Sequence, residues 1–254
     1  MTAPIALQLY TVRDLLKHDF EGVIRRVAGI GYAGVETAGL PEGVSATEAA
    51  ALFADCDLVV AAGHFPLPLG DDEQTVLETA RQLGIQRIVS GYVPAEEYGD
   101  LASIKRVCAR LNEAQSAAAS AGLEFGVHNH WWEFQAAGDV YPYQVWLDEL
   151  DPAILFELDT YWVQSAGADP VEMVELFGRR APLLHVKDGP AGPDTDASMT
   201  AVGDGRLDYP SIVAAADPFA EWLIVELDRC ATDMMTAVER SYHYLVGEGL
   251  AHGR

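Results

Sequence analysis

The chain has 254 residues, half of them apolar, with 9% aromatic and 22% charged, enough for one large buried core. With 16 basic against 39 acidic side chains the net charge is -23, and no basic cluster exceeds Arg25-Arg26 or Arg179-Arg180, which argues against nucleic acid and anionic membranes as partners. Cys56, Cys108 and Cys230 are odd in number, far apart and without a CxxC pair, so neither a disulfide framework nor a thiolate zinc site is expected.

Short apolar runs typical of buried parallel strands alternate with segments of helical periodicity along the whole chain. The run at 5–9 is followed by a predicted helix at 20–30, the run at 35–37 by 46–54, and the run at 58–62 by 72–83. The fourth run, 87–90, precedes a helix at 101–121, the fifth, 123–128, one at 143–150, and the sixth, 154–159, one at 170–177. The seventh, 183–187, leads into the loop that carries Arg206, and the eighth, 222–226, precedes a helix at 233–245. Glycines close several of these helices, at Gly29 and Gly31, Gly84 and Gly122.

Connections this long require parallel strands, and eight of them without a second compositional region predict an α/β fold, a single (β/α)8 TIM barrel spanning 1–254. An open sheet binding a dinucleotide would carry a glycine-rich turn after the first strand, and Gln8-Leu9-Tyr10-Thr11-Val12-Arg13 has no glycine. The N-terminus has no basic leader or cleavage pattern and no apolar run reaches the ~18 residues of a membrane span, so a cytoplasmic location is expected.

Reactive residues of such barrels stand at the C-terminal strand ends. The fifth run ends in Gly126-Val127-His128-Asn129-His130 and continues through Trp131-Trp132-Glu133; the sixth ends Glu157-Leu158-Asp159, the seventh His185-Val186-Lys187-Asp188, and the eighth Glu226-Leu227-Asp228. Strand alternation puts His128 with His130, Glu157 with Asp159, His185 with Lys187 and Glu226 with Asp228 on shared faces, so one member of each pair can enter the barrel mouth. Carboxylates and imidazoles without thiolate suit Mn²⁺, Mg²⁺, Co²⁺ or a catalytic Zn²⁺. Taken alone, a strand-end histidine is more often scaffold than ligand, and Asp159 could simply cap Thr160-Tyr161-Trp162. Their coincidence among apolar neighbours favours a shared cation, since unpaired buried charges cost several kcal/mol.

The segments IALQLYTVRD, GYAGVE, GHFPL, GVHNHWWEF, FELDTYWVQSAGADP, LLHVKDG, VGDGRLDYPSIV and IVELDRC together resemble the sugar phosphate isomerase/epimerase family with its xylose-isomerase-like barrel, most closely its members near inosose dehydratase and the 3-keto-sugar enzymes. The resemblance implies one divalent metal, with Mn²⁺ foremost, held by Asp159, His185 and Glu226. The fifth strand departs from the pattern: many relatives place a glutamate where this chain has His128, so either His128 replaces it or Glu133 folds back, and a carboxylate better preserves the negative charge a hard cation wants. Gln8, Glu36, His64, His130, Trp162, Lys187 and Arg206 are expected to contact substrate, Lys187 beside the metal where an oxyanion develops and Arg206 closing over the pocket.

The resemblance implies a metal-dependent isomerase, epimerase or dehydratase of a keto-sugar or inosose, working through an enediolate, with Glu133 and Glu226 as the acid/base pair and Lys187 as electrophile. Two rivals are carried along. A noncatalytic sugar-binding subunit would not need charges packed at the metal position. An abasic-site endonuclease would want a basic groove and a further histidine where Trp162 stands. A homo-oligomer stays open, because Trp222, Tyr242 and Tyr244 suit an interface and outer-helix packing equally.

Overall fold

A computed structural model describes residues 2–254. Eight parallel strands, β1 (Ile5–Gln8), β2 (Gly34–Ala38), β3 (Val59–Phe65), β4 (Arg87–Ser90), β5 (Glu124–His128), β6 (Leu155–Asp159), β7 (Leu183–Val186) and β8 (Trp222–Val225), close into a barrel in sequence order. Around it run α1 (Arg13–Leu16), α2 (Phe20–Ile30), α3 (Ala46–Asp55), α4 (Glu73–Leu83), α5 (Leu101–Ser120), α6 (Pro142–Glu149), α7 (Thr160–Ser165), α8 (Pro170–Phe177), α9 (Tyr209–Ala216) and α10 (Met234–Gly247). The alternation of short apolar runs and amphipathic segments thus produces the α/β barrel expected from it.

Local chemistry sets the helix boundaries. Asp19, Ser45, Asp100, Asp169, Asp208 and Asp233 each accept a hydrogen bond from a free backbone N–H of the first helical turn that follows. Gly84 ends α4 with φ 71°, a left-handed conformation that costs a residue without Cβ least. Three helices lie where none is predicted, the first being the four-residue α1. The single turn of α7 is too short to show periodicity, and α9 is an eight-residue helix with proline in its first turn and three alanines at its end.

The strands' outward residues, such as Leu7, Val35, Phe125, Phe156, Leu184 and Val225, pack under the helices in one continuous apolar shell. The inward face is layered. Ala6, Ala62, Val89, Leu183 and Ile224 form a small plug with Trp222 against it. Trp222 therefore fills the barrel's lower end. A Cβ at Gly34 would come within 2.9 Å of the indole, so glycine is what admits it. Tyr242 packs on Tyr32, with ring centroids 5.3 Å apart, and the ring of Tyr244 lies over Gly203. No helix among the described residues is long and apolar enough to cross a membrane.

Candidate metal centre

One layer above the apolar plug, the same inward faces carry charge. Strand register sets neighbours side by side: Gln8 with Glu36, His128 with Glu157, and Asp159 with His185. Gln8, Glu36, His128, Glu157, Asp159, His185, Lys187 and Glu226 are all buried, and His64 is nearly so. Burying so many ionisable groups is tolerable only because each faces a partner of opposite character.

An upper group joins His128, Asp159, His185 and Glu226, each offering one ligand atom within 4.8 Å of the others. His185 Nδ1 is 2.9 Å from Glu226 Oε2 and His128 Nε2 is 3.9 Å from Asp159 Oδ2. Asp159 divides its carboxylate: Oδ1 accepts from Trp162 N at 2.9 Å, capping α7, while Oδ2 has no aligned hydrogen bond among the described residues. Cap and candidate ligand are therefore one residue. Lys187 completes the group, its Nζ 3.0 Å from Asp159 Oδ2, 2.7 Å from Glu226 Oε2 and 2.9 Å from Asp228 Oδ2.

A lower group joins His64, His128, Glu157 and His185. Glu157 Oε2 is surrounded by three imidazole nitrogens, His64 Nε2 at 2.6 Å, His128 Nδ1 at 3.1 Å and His185 Nε2 at 3.1 Å. Glu36 Oε2 also reaches His185 Nε2 at 2.7 Å and accepts from Gln8 Nε2 at 2.7 Å. Glu36 and Glu157 thus hold the ring nitrogens of His185 and His128 that face away from the upper group, the arrangement that fixes tautomer and orientation in ligating histidines.

The electrostatics follow from this packing. Burial pushes Asp159 up to about 6, Lys187 opposing. Burial and the neighbouring Glu157 raise Glu36 to about 8. Burial also lowers His128 to about 3, leaving it a neutral ligand-ready imidazole. His64 and His185 resist burial, because Glu36 and Glu157 hold their protons on and raise both. Lys187 is likewise held charged by Asp159, Asp228 and Glu226 against its burial.

A divalent ion fits the upper group. Its donors are two carboxylates and two imidazoles, with no thiolate, and Asp159 Oδ2 is a buried oxygen with no aligned donor. The group opens onto a cavity of 680 Å³ at the C-terminal strand ends, walled by Tyr10, Phe65 and Tyr92 on one side and by His130, Lys187, Glu226 and Asp228 on the other. A separate 430 Å³ groove between α2 and α3 holds none of the predicted site residues.

Four further residues expected at the site, Glu133, Arg206, Trp162 and His130, lie outside both groups. Glu133 belongs to neither group: it sits on the turn Trp132–Phe134, and its Oε2 accepts from His130 N at 2.8 Å, so the carboxylate closes its own loop. Burial raises it to about 8, as suits a carboxyl that anchors its own loop. Arg206 lies exposed, outside the cavity wall, with only its backbone N–H engaged, by Asp188 Oδ1. Trp162 is buried behind the site with Lys187 Nζ 5.2 Å from its ring centroid, and is not part of the cavity wall. His130 does line the cavity, stacked on Trp132 at 4.2 Å.

Glu157 and Asp228 went unassigned by sequence. Both lie on inward faces already recognised, but only Asp159 and Glu226 were taken from their same-face pairs, whereas a barrel stacks inward residues in layers and holds both members. Asp228 lies two residues beyond Glu226 and reaches back to Lys187.

A family model described as a xylose isomerase-like TIM barrel matches residues 24–241. The fold is similar to that of a sugar phosphate isomerase/epimerase from Parabacteroides distasonis, at 24% identity and TM-score 0.82, covering 99% of this chain and 96% of that one. It is also similar to a probable 3-DHS dehydratase from Bacillus anthracis (14% identity, TM-score 0.76, 96% and 98% covered). A D-allulose 3-epimerase from Methylomonas sp. shares it too (15% identity, TM-score 0.70, 97% and 98% covered). At these identities the likeness is one of fold. No curated protein matches the chain.

Proposed function

Because the chain belongs to the xylose isomerase-like TIM barrel family, we propose that it is a divalent-metal-dependent isomerase, epimerase or dehydratase of a keto-sugar or inosose, working through an enediolate. The observation that carries this reading is the convergence of His128, Asp159, His185 and Glu226 at the floor of a cavity large enough for a sugar. When bound there, a divalent ion, Mn²⁺ foremost, polarises a carbonyl and offsets the charge of an enediolate.

The chain's own residues supply the rest. Lys187, held protonated by three carboxylates, presents a fixed cation to oxygen charge that develops during the reaction. Glu226 is kept ionised by Lys187 and His185 against its burial, and it lines the cavity, so it is the base that takes the proton from carbon next to the carbonyl. His64 lines the same cavity with its proton held by Glu36 and Glu157, and serves as the acid that returns a proton or assists loss of a β-hydroxyl. Tyr10, Phe65 and Tyr92 give the ring an apolar wall.

The substrate is read as unphosphorylated. Lys187 is the cation in the cavity wall that comes from a basic residue, and its ammonium is already engaged by three carboxylates.

The test is solvent deuterium exchange into a panel of ketoses, 3-keto-glucosides and inososes, followed by NMR with the protein loaded with Mn²⁺ and again after chelation. Metal-dependent label incorporation or water loss is expected. Tight binding of such a sugar without exchange under either condition replaces the reading with a noncatalytic sugar-binding barrel.

A further inference from the structure

His128 and His185 each stand between the two groups of ligands, and each turns a different ring nitrogen to each group. His185 Nδ1 faces Glu226 at 2.9 Å and its Nε2 faces Glu157 at 3.1 Å. His128 Nε2 faces Asp159 at 3.9 Å and its Nδ1 faces Glu157 at 3.1 Å. A neutral imidazole has one nitrogen with a free lone pair, so each ring can ligate upward or downward but not both.

The lower group has the makings of a site of its own. It gathers three imidazole nitrogens and one carboxylate oxygen within 4.8 Å, a set that suits a four-coordinate ion fond of nitrogen. The buried His128 Nδ1 points into it without the alignment of a hydrogen bond, and it has no other partner among the described residues. Glu157 Oε1 and Glu36 Oε1 are buried and unpartnered too. Lys187 competes for the carboxylate oxygens of the upper group, whereas no ammonium among the described residues touches Glu157. The lower group borders the cavity, since His64 and His128 both line it. Gly91 leaves room for the His64 ring, because a Cβ there would stand 2.4 Å from His64 Nδ1.

We propose that His64, His128, Glu157 and His185 form a second, alternative metal position, selective for Zn²⁺ or Co²⁺, whose occupation withdraws His128 and His185 from the upper position and so excludes Mn²⁺. Ion identity then decides where the metal sits: imidazole-rich coordination below for a borderline-soft ion, carboxylate-rich coordination above for a hard one. The exclusion rests on the upper reading given under the proposed function. The existence of the lower site does not.

Metal binding by the intact chain tests this. Free Mn²⁺ is followed by electron paramagnetic resonance, Co²⁺ by its visible absorption, and Zn²⁺ by competition with Co²⁺, in wild type, His64→Ala, Glu157→Gln and Asp159→Asn. His64→Ala is expected to weaken Zn²⁺ and Co²⁺ binding by about tenfold or more while Mn²⁺ stays within about twofold; Glu157→Gln, which also removes the carboxylate that orients the two shared imidazoles, is expected to weaken all three ions, Zn²⁺ and Co²⁺ by about tenfold more than Mn²⁺. Asp159→Asn is expected to do the reverse of His64→Ala. In wild type, Zn²⁺ releases bound Mn²⁺ one for one, and in His64→Ala it needs a correspondingly higher concentration. Equal weakening of Mn²⁺ and Zn²⁺ by His64→Ala and Glu157→Gln overturns the proposal, because the lower group then only orients the two shared imidazoles. Unchanged Zn²⁺ and Co²⁺ binding in both variants overturns it as well. Mn²⁺ binding indifferent to Asp159→Asn removes the upper reading alone, and the zinc pattern still decides the lower one.

Discussion

Lys187 Nζ stands 3.0 Å from Asp159 Oδ2, the one oxygen of that carboxylate not committed to capping α7, and 2.7 Å from Glu226 Oε2. The ammonium and a divalent ion therefore draw on the same oxygens. Lys187→Met leaves Asp159, Glu226 and Asp228 without their shared cation. The metal-free variant is expected to lose about 3–5 kcal/mol of stability in urea unfolding. Mn²⁺ should bind it about tenfold more tightly and restore much of the loss, because the competing charge is gone. Mn²⁺ affinity equal to wild type would mean that ammonium and ion use opposite sides of the carboxylates.

Glu133 offers a test of the corrected ligand set. Its folded carboxyl titrates near 8, raised by burial from the ordinary 4.5, so the folded state keeps a proton that the unfolded chain releases. Stability from this group is full below about pH 4.5 and declines as pH rises toward 8. Glu133→Gln, which keeps the acceptor for His130 N, should flatten that slope in denaturation measured across pH and leave Mn²⁺ affinity within about twofold. A loss of metal affinity comparable to that of Glu226→Gln would reinstate Glu133 as a ligand.

The acid role given to His64 carries a pH signature. Glu36 and Glu157 raise its pKa above the ordinary 6.5 despite burial, so the protonated form persists to higher pH than in a free imidazole. kcat/KM is expected to fall as pH rises beyond that shifted value, and His64→Gln to remove this alkaline limb with a rate loss of about 10²–10⁴. An unchanged alkaline limb in the variant assigns the acid elsewhere.

Much of this was legible in the sequence. The strands were, because a parallel strand covered on both faces reads as a short apolar run, and Asp159, His185 and Glu226 stand where the last three such runs end. What escaped has local causes. Glu133 was expected to fold back toward the metal, but the turn Trp132–Phe134 brings its carboxylate onto the N–H of His130, a contact that spacing alone does not reveal. Glu157 escaped because alternation says which face a side chain takes, not how many layers of that face a barrel fills with charge. Arg206 was assigned by reach alone, and reach has no direction until the loop is fixed.

That loop is fixed by Asp188. Its Oδ1 accepts from the N–H groups of Gly189, Arg206 and Leu207, and its Oδ2 from that of Gly203. A Cβ at Gly205 would lie 1.9 Å from Asp188 Oδ1 and 2.3 Å from Gly189 N, so Gly205→Ala must push the loop's base apart. A stability loss of about 1–3 kcal/mol is expected in thermal or urea unfolding. Wild-type stability would show that the base yields freely.

Both ends of the segment are tied to one buried carboxylate at the rim, and Thr200 N bonds back to Asp188 O, so the tip over 190–199 hangs from a closed ring. Between those ends the tip leans on the stretch after β8, where Arg229 donates to Thr195 O and Ala231 N donates to Met199 O, so a change in its length is transmitted to that neighbouring loop before it reaches the strands.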